Sequence, residues 1–443
     1  MSYNVKHFGA IGDGHTLDHE AIQSAIDECS QSGGGMVVVP QGTYLCGTIH
    51  IRSNVCLHLE MGAVILGADD PSHYPEICKT PYGNLPGQIQ ALIWADEVEN
   101  ISITGQGIID GGGASPLPPS VAAGVKFRPA LMFYRGCKNA KFLDITFQYS
   151  CFWTLHLMRC EDVMVRGVTI LADMGRINTD GIDPDGCKNV IISDCNIKTG
   201  DDCIVIKSTE GDVCENITVT NCILSSRHAA LKIGTEAIGP IRNITFNNCI
   251  IHNTDVALAL YMKDGSVYEN MVISNMVIEA RNEFPILLDI TPRYYKEPKA
   301  GRIRNITFDN ITVTAKGRCY IEGVPLQPVE NVRFRNIIWN VSGPCNLTDP
   351  TKPPGARRVE LDPDRINYAV HPYQFIAVHV DGLLLNHVCI RHEQSDSVSD
   401  RGRLYADHVR NLTVDRMDSF DAPAGLEPVM IRQDDESGEK RAK

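Results

Sequence analysis

Short runs in which every second residue is apolar recur along the chain, separated by Asn, Asp or Gly: CKNVIISDCNI, CENITVTNCIL, IRNITFNNCII and YENMVISNMVI. Strict alternation over so few residues is the pattern of a strand with one buried face. The leading asparagines of these four runs, Asn189, Asn216, Asn243 and Asn270, are spaced by 27 residues each time. Looser copies start at Asn305, Asn331 and Asn411, and upstream ones at Asn100, Asn139 and Asp162. A unit of two or three such strands cannot bury its apolar face alone. Stacked at about 4.8 Å per rung, successive units pair as parallel strands and share one core. The pattern predicts an all-β fold, a parallel β-helix solenoid of about ten coils. Separate antiparallel hairpins fit four units of equal length poorly. The Asn at a fixed turn position is expected to form an internal ladder that satisfies buried backbone groups. NIT and NLT also match glycosylation acceptors, but their fixed place in the repeat favours the ladder.

The two ends depart from the period. Residues Leu17 to Cys29 carry apolar residues at helical spacing, and Gly33, Gly34 and Gly35 follow. A capping helix within 17–32 would cover the open first coil, whose strand edges are otherwise unpaired. From Gly343 to Pro372 a Pro- and Arg-rich insertion, with Arg357, Arg358 and Arg365, interrupts the repeat. It would either close one end of a cleft or stand clear as a surface loop. The expected organisation is a single catalytic domain over 1–425, then an extension and polar tail over 426–443.

Composition narrows the partners. With 443 residues and a net charge of −13, the chain is a poor match for a nucleic-acid backbone or an anionic membrane surface. An acidic substrate is still compatible, because a cationic cleft can sit on an acidic protein. No run of 18 apolar residues suggests a membrane span. The start, MSYNVKHFGAIGDG, has neither the basic nor the apolar region of a secretory signal. Many of the sixteen cysteines sit singly in apolar runs, as small buried hydrophobes do. A reduced cytoplasmic protein is expected, with a secreted mature form as the alternative; oligomeric state is left open.

Candidate chemistry lies in three aligned segments. TDGID at Thr179–Asp183 matches DDCIV at Asp201–Val205, and HAALK at His228–Lys232 follows Asp201 by 27 residues. One column then holds Thr179, Asp201, His228 and Asp255, the other Asp180, Asp202, Ala229 and Val256. Asp180 and Asp202 would be neighbours at about 5 Å, each raising the other's proton affinity. Gly200 suggests a bend that lets Asp201 and Asp202 reach one side. This suits glycoside hydrolysis, in which one acid protonates the leaving oxygen and a base activates water. Asp180 with Asp202 would hold the water, and Asp201 beside His228 would be the acid. An isolated Asp-Asp pair is more often a polar turn. Clustered carboxylates also suit calcium, but His228 and nearby lysines argue against a metal, and no cofactor is expected.

At these residues the chain resembles the polygalacturonase-type glycoside hydrolases of family 28. Asn178-Thr179-Asp180-Gly181, Gly200-Asp201-Asp202 and Ser226-Arg227-His228 occur in that family's order and approximate spacing. FGAIGDG and ITGQGIIDGGG are also similar to its members, and the resemblance covers roughly residues 3 to 430. It implies a right-handed parallel β-helix and inverting hydrolysis. The matching roles are general acid for Asp201, water activation for Asp180 and Asp202, and support of the acid for His228.

Two departures stand out. The family's Gly-His-Gly becomes Arg227-His228-Ala229. Its Arg-Ile-Lys, which grips galacturonate carboxylates, is replaced by Ala259, Leu260 and Tyr261. Arg reads a carboxylate through paired hydrogen bonds that Ala and Tyr do not supply. Lys232, Lys263 and Arg227 are candidate replacements, with Tyr261 and Asn178 as further substrate contacts. Trp153 would be either a sugar-stacking platform or core, and His156 a donor to a sugar hydroxyl. The expected substrate is a pectic poly- or oligosaccharide of galacturonide or rhamnogalacturonan type, with exo action if the insertion closes the cleft. The alternatives are a calcium-dependent pectate lyase and a non-catalytic carbohydrate-binding β-helix.

Overall fold

The computed structural model describes residues 1–79, 88–112, 128–281, 284–291, 301–342, 373–392, 402–420, 429–434 and 440–442. The chain divides into two compact units, Met1–Arg227 and His228–Lys443.

In the first unit each rung contributes three short strands. The first series includes Glu161–Arg166, Lys188–Ser193 and Cys214–Thr220, the second Thr169–Leu171, Asn196–Thr199 and Ile223–Ser226. The third includes Leu155–Met158, Ile182–Asp185 and Ile204–Ser208. Every strand pairs in parallel with its counterpart on the next rung. The repeat is the register itself: Val163 lies beside Val190, and Val190 beside Ile217. All three are buried, as are Val165, Ile192 and Val219 two positions on, so alternate residues of the first series form aliphatic stacks. Sequential parallel strands joined this way give a right-handed parallel β-helix.

The second unit repeats the design with longer strands, Val267–Ala280, Arg302–Ala315, Val329–Val341 and Tyr373–His392, again paired in parallel. Its core stacks Ile273, Phe308, Phe334 and Leu385 in register. The Phe308 and Phe334 rings lie 4.6 Å apart and nearly parallel.

The asparagine ladder exists, but it lies on the outside. Asn216 donates to Asn189 at 3.0 Å, and in the second unit Asn305 donates to Asn270 at 3.0 Å, all on exposed turns. The expectation of an internal ladder bonded to buried backbone is corrected. Each of these asparagines has φ between 56 and 61°, a left-handed conformation that Asn tolerates better than other side chains. Backbone geometry is what fixes the residue type, and the side-chain bonds are secondary.

The N-terminal helix runs from His19 to Gln31 and buries Ile22, Ala25, Ile26 and Cys29. It starts two residues later than its apolar spacing suggests. Asp18 turns its carboxylate to the N–H groups of Ile11 and Gly12, at 2.7 and 3.0 Å, instead of to its own first turn. Gln23 then pairs with His50 in both directions, its amide donating to the carbonyl and accepting from the N–H. The helix thus closes a strand edge with hydrogen bonds as well as apolar contact.

The fifteen cysteines among the described residues are free thiols. Cys160, Cys187 and Cys214 stack on successive rungs, the Cys160 N–H reaching the Cys187 sulfur and the Cys187 N–H the Cys214 sulfur, both at 3.3 Å, and burial pushes the Cys160 and Cys214 thiols up. The insertion over 343–372 lies outside the described residues. In the region expected as a polar tail, Val429–Asp434 adds a parallel strand, against which Lys440–Ala442 pairs antiparallel. No helix among the described residues is long and apolar enough to cross a membrane.

Candidate active site

In the first unit the aspartates sit on the turns that lead into the third series of strands. Ile182 lies beside Ile204, which sets Asp180 beside Asp202 as the aligned columns require. The N–H of Gly181 donates to the Asp202 carbonyl and that of Ile182 to the Cys203 carbonyl, both at 2.9 Å. The two turns differ in length. Twelve positions separate Ile170 from Ile182, against seven from Ile197 to Ile204, although strands pair on either side of both. The additional chain, around 172–181, reaches over the following rung.

That reach explains two glycines. A Cβ on Gly200 would lie 2.2 Å from the Arg176 carbonyl oxygen and 2.5 Å from that of Asp173. One on Gly181 would lie 2.4 Å from the Cys203 carbonyl. Neither position admits a side chain. The expected bend at Gly200 and Asp201 is present, and the close approach of the longer turn is what demands glycine there.

Asp201 is held from both ends. Its backbone carbonyl accepts the hydroxyls of Thr199 at 2.7 Å and Ser226 at 2.5 Å. Its carboxylate accepts the N–H of Asn178 at 2.7 Å and stays half-exposed. Asn178 is fixed in turn by Arg128, which donates to the Asn178 side chain at 3.1 Å, the Ile177 carbonyl at 2.5 Å and the Cys151 carbonyl at 3.0 Å. The Asn178 side-chain oxygen thus has a protein partner, and the residue acts on Asp201 through its backbone.

Asp180 and Asp202 are buried, and the carboxylates of Asp201 and Asp202 approach within 4.8 Å of each other. The Lys207 ammonium lies 3.9 Å from Asp180 Oδ2 and 3.8 Å from Asp183 Oδ1, and 4.4 Å from the centre of the Trp153 ring. Asp180 Oδ1 is buried with no hydrogen-bond partner among the described residues. Burial, followed by the charges of Asp201 and Asp183, holds the Asp180 carboxyl well above the usual carboxylate range, with Lys207 pulling the other way. Two kinds of carboxyl therefore occupy one bend: a buried one with high proton affinity and a half-exposed one fixed by an N–H.

Trp153 takes the second of its two expected roles, and the expectation for His156 is corrected. Trp153 is 3% exposed, stacked on Phe152 at 5.2 Å and set edge-on to His156, so it is core and offers no face to a sugar. His156 is buried, with Nε2 3.1 Å from Asp185 Oδ2, and Asp185 also accepts the N–H and hydroxyl of Thr209. Its ring is committed to the interior and does not reach a sugar hydroxyl. The Trp153 ring lies against the Lys207 ammonium. Arg227 is exposed and donates to the Met174 carbonyl at 3.3 Å, tying itself to the longer turn.

In the second unit His228 is exposed, and its carbonyl accepts the Val256 N–H at 2.9 Å. Ala229 lies beside Val256 and Lys232 beside Ala259, while Tyr261 lies beside Asp289. The Lys232 and Lys263 ammoniums are 5.5 and 5.6 Å from the Tyr261 ring centre. Two cations thus surround the tyrosine, one from its own strand end and one from the neighbouring rung. Lys263 is ion-paired with the buried Asp289.

A model of glycosyl hydrolases family 28 matches residues 29–350. The chain belongs to this family. A probable polygalacturonase of Vitis vinifera is 35% identical over 217 residues, 47% of this chain and 44% of that protein. The exo-poly-alpha-D-galacturonosidase of Dickeya chrysanthemi is 28% identical over 249 residues, 45% of this chain and 41% of that one. The chain therefore spans less than half the length of these curated relatives. The hyperthermoactive exopolygalacturonase of Thermotoga maritima superposes with a TM-score of 0.67 at 29% identity, covering 77% of this chain and 87% of that structure.

Within the family 28 chain, sequence reasoning located the aspartates but missed Lys207, Asp183 and Arg128. For Lys207 a signal was present. A lysine inside the otherwise uncharged, wholly buried strand Ile204–Ser208 requires a carboxylate partner. Arg128 gave none, since its partners lie 23 to 50 residues away in sequence.

Proposed function

We propose that the chain is an inverting glycoside hydrolase that acts from a chain end on pectic, galacturonide-type substrates. The observation that carries this is the division of one bend into buried Asp180 and Asp202, beside Lys207, and half-exposed Asp201. Burial alone would make Asp180 the proton holder, so the roles are taken from the family's motif and from Lys207, which gives Asp180 a counter-charge. Asp201 gives its proton to the leaving oxygen. Asp180 and Asp202 take a proton from water, whose oxygen attacks the anomeric carbon from the opposite face. His228 stands in the family's histidine position.

The choice of a uronide rests on the polygalacturonase relatives and on Lys232. Lys263 is ion-paired with Asp289, and we assign Lys232, beside Tyr261, to a substrate carboxylate. Exo action is supported by the names of the Dickeya chrysanthemi and Thermotoga maritima relatives. The test is proton NMR of the first-formed anomer on oligogalacturonides, with Asp201→Asn as control. Inversion and immediate release of one or two sugars are expected. Retention, full activity of the variant, or an unsaturated ultraviolet-absorbing product would overturn the reading.

A further inference from the structure

Four carboxylates converge on the bend: Asp180, Asp183, Asp201 and Asp202. Asp180 and Asp183 are buried, and each has an oxygen within 4 Å of one ammonium, that of Lys207. A lysine is seldom buried unless it is paired. This one is also fixed in place, because its ammonium lies over the Trp153 ring, which is locked against Phe152 and His156. Asp185, beside Lys207 in the strand register, is turned to His156 and Thr209. Asp180 also feels the charges of Asp201 and Asp202, and Arg128 is bonded to Ile177 and Asn178 of the turn that carries Asp180.

We propose that Lys207 is a positioning residue that orients Asp180 and keeps it able to lose its proton among the other carboxylates, with Asp183 acting in the opposite sense. This rests on the hydrolase reading for its catalytic consequence, but not for its electrostatics. A base must be ionised before it can accept a proton from water. Without a nearby cation, burial and three like charges would keep Asp180 protonated through the working range. Asp183 tempers this by drawing part of the ammonium's charge to itself.

The two residues therefore predict opposite shifts. The pH profile of kcat/KM on oligogalacturonides is measured for the full chain, Lys207→Met, Asp183→Asn and the double variant. Lys207→Met moves the acid limb to higher pH, with at least a tenfold loss on the acid side and a smaller one on the alkaline side. Asp183→Asn moves the same limb to lower pH, and the double variant falls between. Uniform losses with an unmoved limb would overturn the proposal, since a merely structural lysine gives that result.

A second readout does not need activity. Carboxyl carbon-13 NMR of Asp-labelled protein, with the Asp180 signal assigned by its loss in Asp180→Asn, follows that group's titration directly. Its midpoint rises in Lys207→Met and falls in Asp183→Asn if the proposal holds, and an unmoved midpoint overturns it. If the wild-type chain turns over no glycan, the hydrolase reading fails while this measurement still decides the role of Lys207.

Discussion

Lys207 and Asp180 face each other at 3.9 Å, with both side chains almost wholly withdrawn from water. A buried pair at that distance holds charge in place more than it stabilises the fold, because desolvation offsets much of the attraction. Asp180 therefore carries a strain that depends on pH.

Its sign is fixed by its environment. Burial and Asp201 raise the folded carboxyl above its unfolded value. The folded chain keeps a proton that the unfolded chain has already lost. The stability from this group is fully present below the ordinary carboxylate range and is lost as pH rises through the folded value. Asp180→Asn is expected to raise Tm at pH 8 relative to wild type, with the gap closing by about pH 4. Melting curves across that range check it. Activity should fall by about 10²–10⁴-fold.

Asp201→Asn should lower kcat by a similar factor, about 10²–10⁴-fold, with little change in KM. The fold should survive, since the Thr199 and Ser226 hydroxyls bond the backbone carbonyl and not the carboxylate. Reducing-sugar release and a thermal melt test both halves.

Lys232→Met isolates the substrate charge. Loss of one charge-assisted hydrogen bond costs about 1.5–3 kcal/mol, so KM for a uronide should rise roughly ten- to a hundredfold. A neutral or methyl-esterified substrate should be affected much less. Equal effects on both would place the lysine outside the recognition of charge.

Trp153→Phe separates core from platform. A packed tryptophan predicts a lower Tm and a KM within about twofold of wild type. A large rise in KM at unchanged Tm would restore the sugar-stacking role.

On the exposed ladder, Asn216→Ala should cost about 1 kcal/mol, because alanine resists the left-handed conformation. Asn216→Gly should be within a few tenths of that unit from wild type. Urea midpoints decide between the two, and equal losses would mean that the bond to Asn189 carries the effect.

The period and the aspartate columns were legible because a parallel β-helix writes its register into residue spacing. Asn189 and Asn216, or Asp180 and Asp202, need only be aligned to be placed. Side-chain direction was not legible where both faces of a strand are buried. All of Ile204–Ser208 is interior, so alternation carries no signal there and Lys207 was overlooked. Trp153 and His156 lie before a strand or in one of the same kind, and their polarity suggested a sugar where the structure gives them Lys207 and Asp185. The ladder's side was misjudged for another reason. Asn was read as a bonding group, whereas its tolerance of positive φ selects it.

The longer turn over 172–181 has a consequence for how such a site can change. The rungs on either side keep their strand pairing whatever the length of the chain between them. Residues can therefore be gained or lost in its outer part, 173–178, without moving the paired strands, whereas Thr179 and Asp180 at its end are buried. Because the turn of one rung supplies the N–H that fixes the acid of the next, each such change would alter reactivity directly. The acid is thus held by a stretch of chain whose length the paired strands do not fix.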